Sequence, residues 1–398
     1  MKHIYFIFIF FFSILSTYSQ TYNTDVEDII NDVNQDSLIH YMRELSGEDS
    51  VTVNGERTLI EYRVSNWGND LTADYLKEKL EGFGLTPVVQ EYSSSGKNVY
   101  AVQEGSMYPD EYYMICAHYD AVDYYCADDN ASGSSAVLEA VRIFSELDFE
   151  YSIIFAFWDE EEYGLIGSDY YASQAASNND VIHAVINMDM ISWDGDEDMV
   201  VEIHSSTLAN SDELADYIVN VNDIYNIPLT TTIEIPGTNA SDHASFWYNG
   251  YPSALIIEEY HGGDFNPYYH TENDRIAILN MPYFHEMARL SIGTIASKAV
   301  PSIQTSIKEI DLLAGFQLTS YPNPFDHETN ISYTLPDNSY LRISMVNSLG
   351  KEIRVLVDGM KQSGEYQIKL YADDFPSGLY FLYSQTTEGT STHKILIN

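Results

Sequence analysis

Four short apolar runs between residues 112 and 259 constrain the fold of this chain most strongly. The runs are YYMICAHYD (112–120), YSIIFAFWDE (151–160), HAVINMDM (183–190) and YPSALIIEE (251–259). Apolar side chains occupy both faces of each run, which is typical of parallel strands covered by helices on both sides. Helical patterns occupy residues 134–147, 211–225 and 281–300. The sequence therefore predicts an α/β fold with a mostly parallel central sheet flanked by helices.

The regions on either side of this pattern have a different organisation. Residues 20–110 form a lead-in with helices, one of them over residues 71–85, and a short strand at VYAVQEG. Residues 301–312 have no clear period and indicate a linker. Short alternating segments punctuated by turn residues then fill residues 313–398, which predicts a small all-β sandwich. The α/β domain is accordingly expected over residues 20–300.

The first 19 residues are typical of a secretory signal peptide. Lys2 and His3 precede an apolar run from Ile4 to Leu15, and small residues follow before Gln20. The apolar core is shorter than a membrane span requires, although an N-terminal membrane anchor is the alternative. We expect a protein that is secreted or held on the outer cell surface.

The net charge of −43 argues against two classes of partner. Residues 313–398 hold 6 Lys and Arg and 9 Asp and Glu, a net of −3, so −40 belongs to residues 1–312. Such a surface repels nucleic acid and anionic membranes, and we expect neither as a partner. The two cysteines, Cys116 and Cys126, are compatible with one disulfide or with two free thiols.

Chemically reactive side chains follow the predicted strands, where open α/β sheets bind their ligands. His118 ends the first run, Asp189 ends the third, and a string of acids including Glu161 and Glu162 follows the second. Burying such a string without cations would cost more than a domain can spare, so the acids are either exposed at the strand end or partly neutralised by metal. Two loops add the acids of ADDNASG and His270 in NPYYHT. Two histidines and three carboxylates suit a pair of zinc ions that share one carboxylate.

The positions of these side chains along the chain suggest a role for several of them. Asp120 points to the same side of the strand as His118 and could hold its imidazole ring in one tautomer. Either Asp128 or Asp129 could bridge two cations. Of the adjacent acids after the second run, Glu162 is the expected ligand and Glu161 the general base for a metal-activated water.

The segment SDHAS (241–245) suggests a serine triad, but the chain has no GxSxG elbow, and triad members are not normally contiguous. We interpret it as a loop lining the pocket, with His243 as an alternative metal ligand.

In their order, these motifs resemble a known family. HYD, ADDNASG, EEYGLIGS, NMDM, SDHASFW and NPYYHT are similar to the co-catalytic di-zinc exopeptidases, such as bacterial leucyl aminopeptidase and glutamate carboxypeptidase II, over residues 40–300. The resemblance implies a zinc exopeptidase fold with two Zn²⁺ ions per chain. It implies Asp129 as the bridging ligand and Glu161 as the base. His118 and Asp189 would complete one zinc shell, and Glu162 and His270 the other.

One position departs from that pattern. Some members place a tyrosine just before SDH to stabilise the oxyanion, whereas this chain has PGTNASDH, with Thr238 and Asn239. Another donor, or zinc itself, would have to take that role.

The tail carries a second resemblance. YPNPF, TNISYTLP, LGKEI, SGLYF and KILIN are similar to the C-terminal sorting domain of type IX (Por) secretion, which implies the secretion machinery as a partner. A carbohydrate- or protein-binding sandwich is the alternative.

Together these features predict a secreted, monomeric zinc aminopeptidase that acts on peptides. A carboxypeptidase would need cationic residues for the substrate carboxylate, and apart from Arg275 few are present downstream. A glutaminyl cyclase works with one zinc ion, whereas this ligand set suits two. The alternative from another class is a surface-binding protein with an inactive hydrolase domain.

Overall fold

The chain divides into two units, which we describe from a computed structural model. Residues 22–64, 67–301, 316–347, 351–386 and 390–397 are described, and the division between the units falls between Ile303 and Gln304. The predicted signal peptide lies outside the described residues, as does the predicted linker beyond Pro301. In the part of the chain that is described, every helix is too short or too polar to cross a membrane.

The first unit alternates helices and strands as predicted. Its helices are α1 (Thr24–Asp32), α2 (Gln35–Leu45), α3 (Trp67–Gly82), α4 (Gly133–Phe144), α5 (Ile166–Asn178), α6 (Ser211–Ile224), α7 (His243–Tyr248) and α8 (Met281–Ala299). Its strands are β1 (Val51–Val53), β2 (Glu56–Thr58), β3 (Pro87–Glu91), β4 (Lys97–Gln103), β5 (Tyr108–His118), β6 (Tyr151–Trp158), β7 (Val181–Met188), β8 (Val200–His204), β9 (Thr230–Glu234) and β10 (Ser253–Ile257).

Eight strands form the central sheet in the order β3-β4-β6-β5-β7-β10-β8-β9. The four apolar runs become β6, β5, β7 and β10, which are neighbours and parallel to one another. The prediction of a mostly parallel sheet is therefore confirmed. Strands β3 and β4 are antiparallel additions at one edge, and β8 runs antiparallel to β10. Because the four parallel strands point the same way, their carboxyl ends meet at one edge of the sheet.

The loop between β5 and α4 contains a π-helical turn, Ala127–Ser132, whose Asn130 side chain donates to the carbonyl of Met188 at the end of β7, at 2.9 Å. A Cβ atom on Gly133 would lie 2.4 Å from the carbonyl oxygen of Met188, so only glycine permits this close approach. The contact places the two aspartates of ADDNASG beside the carboxyl end of β7.

The second unit is the predicted β-sandwich, with two antiparallel sheets around one apolar core. Its strands are β11 (Gln317–Tyr321), β12 (Glu328–Leu335), β13 (Ser339–Asn347), β14 (Glu352–Lys361), β15 (Gly364–Tyr371), β16 (Gly378–Thr386) and β17 (Thr390–Ile397). The sheet orders are β11-β12-β15 and β14-β13-β16-β17. Alternation of buried and half-buried residues along β12 gives this sheet one face toward the core.

Candidate metal centre

The five predicted ligands converge at the carboxyl edge of the sheet. His118 is the last residue of β5, Asp189 follows β7, and Glu162 lies in the turn after β6. Asp129 comes from the π-helical turn, and His270 comes from the loop after β10. Residues separated by up to 152 positions in the chain, from 118 to 270, thus form a single cluster.

The contacts within this cluster sort into two groups that share Asp129. His118 Nε2 lies 3.2 Å from Asp189 Oδ1 and 3.3 Å from Asp129 Oδ1. His270 Nε2 lies 3.2 Å from Asp129 Oδ2 and 3.1 Å from Glu162 Oε2. One carboxylate oxygen of Asp129 therefore faces each group. This is the same grouping that the family resemblance implies.

The donor set fits zinc. Oxygen and imidazole nitrogen ligands are those that zinc accepts, and the ligand atoms of His118, Asp129 and Glu162 lie within 4.8 Å of one another. Glu162 Oε1 is buried and has no hydrogen-bond partner among the described residues. A buried carboxylate oxygen without a partner is costly unless a cation satisfies it.

Protonated imidazoles balance the charge of this cluster when no metal is bound. Burial by itself would lower the pKa of His270, but hydrogen bonds to Asp129 and Glu162 raise that pKa to about 10. Burial also opposes the charge on His118, yet Asp189 and Glu161 raise its pKa well above the usual range. Burial raises the pKa of Glu162 to about 7. Metal binding would therefore have to displace protons from the two histidines.

Asp120 orients both the first histidine and the acidic turn. The Nδ1–H of His118 donates to the backbone carbonyl of Asp120 at 3.2 Å, which leaves Nε2 free to face the cluster. The Asp120 carboxylate accepts hydrogen bonds from the backbone N–H groups of Glu161 and Glu162, at 3.1 and 3.3 Å. The sequence predicted the Asp120 side chain as a partner of this imidazole, and Asp120 Oδ1 lies 3.3 Å from His118 Nδ1. It gave no sign of the hydrogen bonds to the acidic turn.

Glu161 lies beside the cluster without belonging to the two groups above. Its side chain is 8% exposed, and burial raises its pKa well above the usual value. The ligand atoms of His118, Glu161 and Asp189 lie within 4.8 Å of one another. A carboxylate held beside metal ligands in this way is placed to accept a proton.

A layer of polar residues behind the cluster engages the side chain of Asp128, whereas the carboxylate of Asp129 faces the two histidines. The carboxylate of Asp274 accepts the backbone N–H groups of Asp128, at 3.0 and 3.1 Å, and of Asp129, at 3.1 Å. Asp128 Oδ1 instead accepts the hydroxyl of Ser192 at 2.6 Å, and its Oδ2 accepts the amide of Asn266 at 2.9 Å. Sequence reasoning missed this layer, because its members lie far apart in the chain and have no shared spacing.

The SDHAS segment supports the cluster and lines the cavity above it. Ser241 Oγ donates to Asp189 Oδ2 at 2.7 Å. His243 is buried in α7, and its Nε2 donates to the Thr238 carbonyl at 2.9 Å, so the structure does not bring it into the cluster. Cys116 and Cys126 are buried free thiols.

Apolar side chains form most of the remaining cavity wall. Above the acids of the cluster, the cavity is lined by Met190, Thr238, Ala240, Ser241, Leu255, Ile257, Tyr260, Phe265 and Tyr269. The ring of Tyr269 stacks on His270 at a centroid distance of 3.6 Å. None of these described lining residues is Lys or Arg.

Imidazoles and carboxylates gathered at the carboxyl edge of an α/β sheet form the arrangement used by metal-dependent hydrolases. Comparison with known families gives the particular class. Residues 98–295 match the profile of peptidase family M28, and residues 319–398 match that of the secretion system C-terminal sorting domain. The chain belongs to peptidase family M28 and carries a sorting domain, as the two resemblances implied. Family membership implies zinc as the metal, and the sorting domain indicates secretion to the cell surface or beyond.

Individual relatives agree with this assignment. Leupeptin-inactivating enzyme 1 of Streptomyces exfoliatus is 31% identical over 192 residues, which are 46% of this chain and 42% of that protein. A probable leucine aminopeptidase of Arthroderma benhamiae is 29% identical over 183 residues, 44% of this chain and 48% of that protein. The matches thus span less than half of either relative.

The fold also resembles that of the Legionella pneumophila LapA aminopeptidase. The TM-score is 0.62 at 22% identity, over 71% of this chain and 76% of that chain. At this identity the likeness concerns the fold alone.

Proposed function

We propose that this protein is a secreted aminopeptidase that holds two zinc ions and removes N-terminal residues from peptides. The observation that carries the proposal is the pair of ligand groups sharing Asp129, with Glu161 beside them. His118, Asp129 and Asp189 would hold one ion. Asp129, Glu162 and His270 would hold the other.

The protein's own residues then have defined tasks. Zinc bound here would supply an activated water and polarise the substrate carbonyl. Glu161 accepts a proton at its carboxylate when water attacks, and it returns that proton to the leaving amine. Asp120 keeps Glu161 in place through the backbone hydrogen bond at 3.1 Å. Ser241 fixes the carboxylate of Asp189 by donating its hydroxyl to Oδ2 at 2.7 Å.

The cavity wall favours a free amino terminus over a free carboxylate. Acidic and apolar side chains line the cavity, and a substrate carboxylate would meet no lysine or arginine among the described lining residues. Arg275 is already engaged, since its guanidinium lies 3.6 Å from the ring centre of Tyr125 and its Nε lies 3.4 Å from Glu48. The apolar wall suits an apolar side chain on the N-terminal residue.

Three forms of one peptide test the proposal: free at both ends, N-acetylated and C-amidated. The zinc-loaded chain should cleave the free and amidated forms and lose activity on the acetylated form. Loss on amidation alone would indicate a carboxypeptidase. No cleavage of any form, with pyroglutamate produced from a peptide that begins with glutamine, would indicate a glutaminyl cyclase. No reaction at all would support the inactive surface-binding alternative.

A further inference from the structure

Glu202 and His204 form a buried pair at the end of β8. The pair lies behind two parts of the substrate-cavity wall, a first wall that contains Thr238 and a second wall that contains Tyr260. The exposed fractions of Glu202 and His204 are 3% and 0%. His204 Nε2 lies 2.8 Å from Glu202 Oε2. Neither residue lines the cavity, and the mechanism above uses neither of them.

The first wall is held by a hydrogen bond to His204. The backbone N–H of Thr238, which lines the cavity, donates to His204 Nδ1 at 2.9 Å. The chain just before it packs tightly on β8: Gly237 N donates to the Ser205 carbonyl at 2.8 Å. A Cβ atom on Gly237 would lie 2.7 Å from both the Cβ of His204 and the backbone nitrogen of Ser205. Glycine is therefore required for this close contact.

The second wall contacts the same pair. The ring of Tyr260, which lines the cavity, lies edge-to-face with the His204 ring at 5.5 Å. The next residue, His261, donates its backbone N–H to Glu202 Oε1 at 2.8 Å and its Nδ1–H to Glu202 Oε2 at 3.0 Å. The Glu202–His204 pair thus joins the Thr238 segment to the turn at residues 260 and 261.

Glu202, His204 and His261 also have the composition of a metal site, and their ligand atoms lie within 4.8 Å of one another. The hydrogen bonds argue against a metal there. Because His204 Nδ1 accepts the Thr238 N–H, a neutral His204 carries its proton on Nε2, the atom that faces Glu202. Binding a cation at Nε2 would leave the ring with no proton on either nitrogen.

We propose that the Glu202–His204 pair is a positioning element that fixes the spacing between the Thr238 and Tyr260 walls, and so sets the fit of the substrate's N-terminal residue. The proposal rests on the proposed aminopeptidase function for its kinetic consequence. Its structural part, the coupling of the two walls, is independent of any activity.

Kinetics of four variants in the full zinc-loaded chain test the first consequence. His204→Ala removes both hydrogen bonds of the ring and should raise KM by about tenfold, with kcat changing much less and the zinc content unchanged. Gly237→Ala should have the same effect, because the added Cβ would push the Thr238 segment away from β8 although the His204 side chain is still present. His204→Asn retains an acceptor for Thr238 N–H and should restore most of the wild-type KM. The control, His183→Ala, alters a partly exposed histidine that pairs with Glu111.

The outcomes separate the alternatives. Wild-type KM in both His204→Ala and Gly237→Ala would overturn the proposal. Equal increases in KM in His204→Asn and His204→Ala would also overturn it. That result would indicate that His204 acts only by packing, and not through its hydrogen bond to Thr238. A third zinc ion that disappears in His204→Ala would show that the cluster is a metal site instead.

Hydrogen–deuterium exchange gives a measurement that does not depend on catalysis. In His204→Ala, the amides of residues 235–241 and 259–265 should both exchange about tenfold faster than in the wild type, with no change in His183→Ala. Unchanged exchange in either segment would overturn the coupling. If the wild type cleaves no peptide, the proposed function fails, and the exchange result still decides whether the pair couples the walls.

Discussion

At the scale of single residues, the proposal gives adjacent glutamates different roles: Glu162 binds zinc, and Glu161 transfers the proton. Glu161→Gln should keep both zinc ions and lower kcat by about 10²–10⁴-fold, since the amide cannot accept the proton. The matched control is Glu160→Gln, because that side chain accepts a hydrogen bond from Ser95 at 3.0 Å and belongs to neither ligand group. Kinetics and zinc analysis of the same samples provide the check. Full activity in Glu161→Gln would exclude it as the base.

The raised pKa values of His118 and His270 predict that zinc binding releases a measurable number of protons. Neighbouring carboxylates raise the pKa of His270 to about 10 and that of His118 well above its usual range, so both rings are protonated in the metal-free chain at pH 7. Zinc binding should therefore release about two protons per chain, and the apparent affinity should fall as the pH is lowered. Glu162, whose pKa is raised to about 7, is half protonated at pH 7 and should add about half a proton to this release, and more at lower pH. Calorimetry in buffers of different ionisation enthalpy measures the release, and binding without proton release would contradict these charge states.

At the scale of elements, the π-helical turn depends on an acid from a distant loop. Asp274→Ala removes the acceptor of two buried N–H groups and should destabilise the zinc-free chain by about 1–3 kcal/mol, while weakening zinc binding. Asp274→Asn should be milder at pH 7, because burial raises the pKa of Asp274 to about 8 and the carboxyl is then largely protonated. Chemical denaturation gives the stabilities. Equal losses in the two variants would contradict this explanation.

The strands and loops also show which parts of the fold and of the candidate site could be predicted from the sequence. The strands β5, β6, β7 and β10 are predictable because both of their faces are apolar, and their ends locate the candidate ligands. The choice between Asp128 and Asp129 depended on the family resemblance, because only the fold brings Ser192 and Asn266 to Asp128. Strand β9, with the sequence TTTIE, carries mostly polar residues and gives no comparable signal. Glu202 and His204 resemble ordinary strand residues until Thr238 and His261 are seen beside them.

At the scale of the whole molecule, the two units have separate apolar cores. A chain that ends at Ile303 should therefore retain the fold, the zinc content and the peptidase activity of the full chain. Thermal unfolding and the peptide assay compare the two directly. Loss of zinc or of cooperative unfolding in the shortened chain would show that the first unit depends on the second.

The most direct test of the central claim is anomalous X-ray scattering at the zinc edge from crystals of the zinc-loaded protein. We predict two peaks that share Asp129, one also contacting His118 and Asp189 and the other contacting Glu162 and His270. A single peak, or strong peaks away from these residues, would contradict a two-zinc centre at this edge of the sheet.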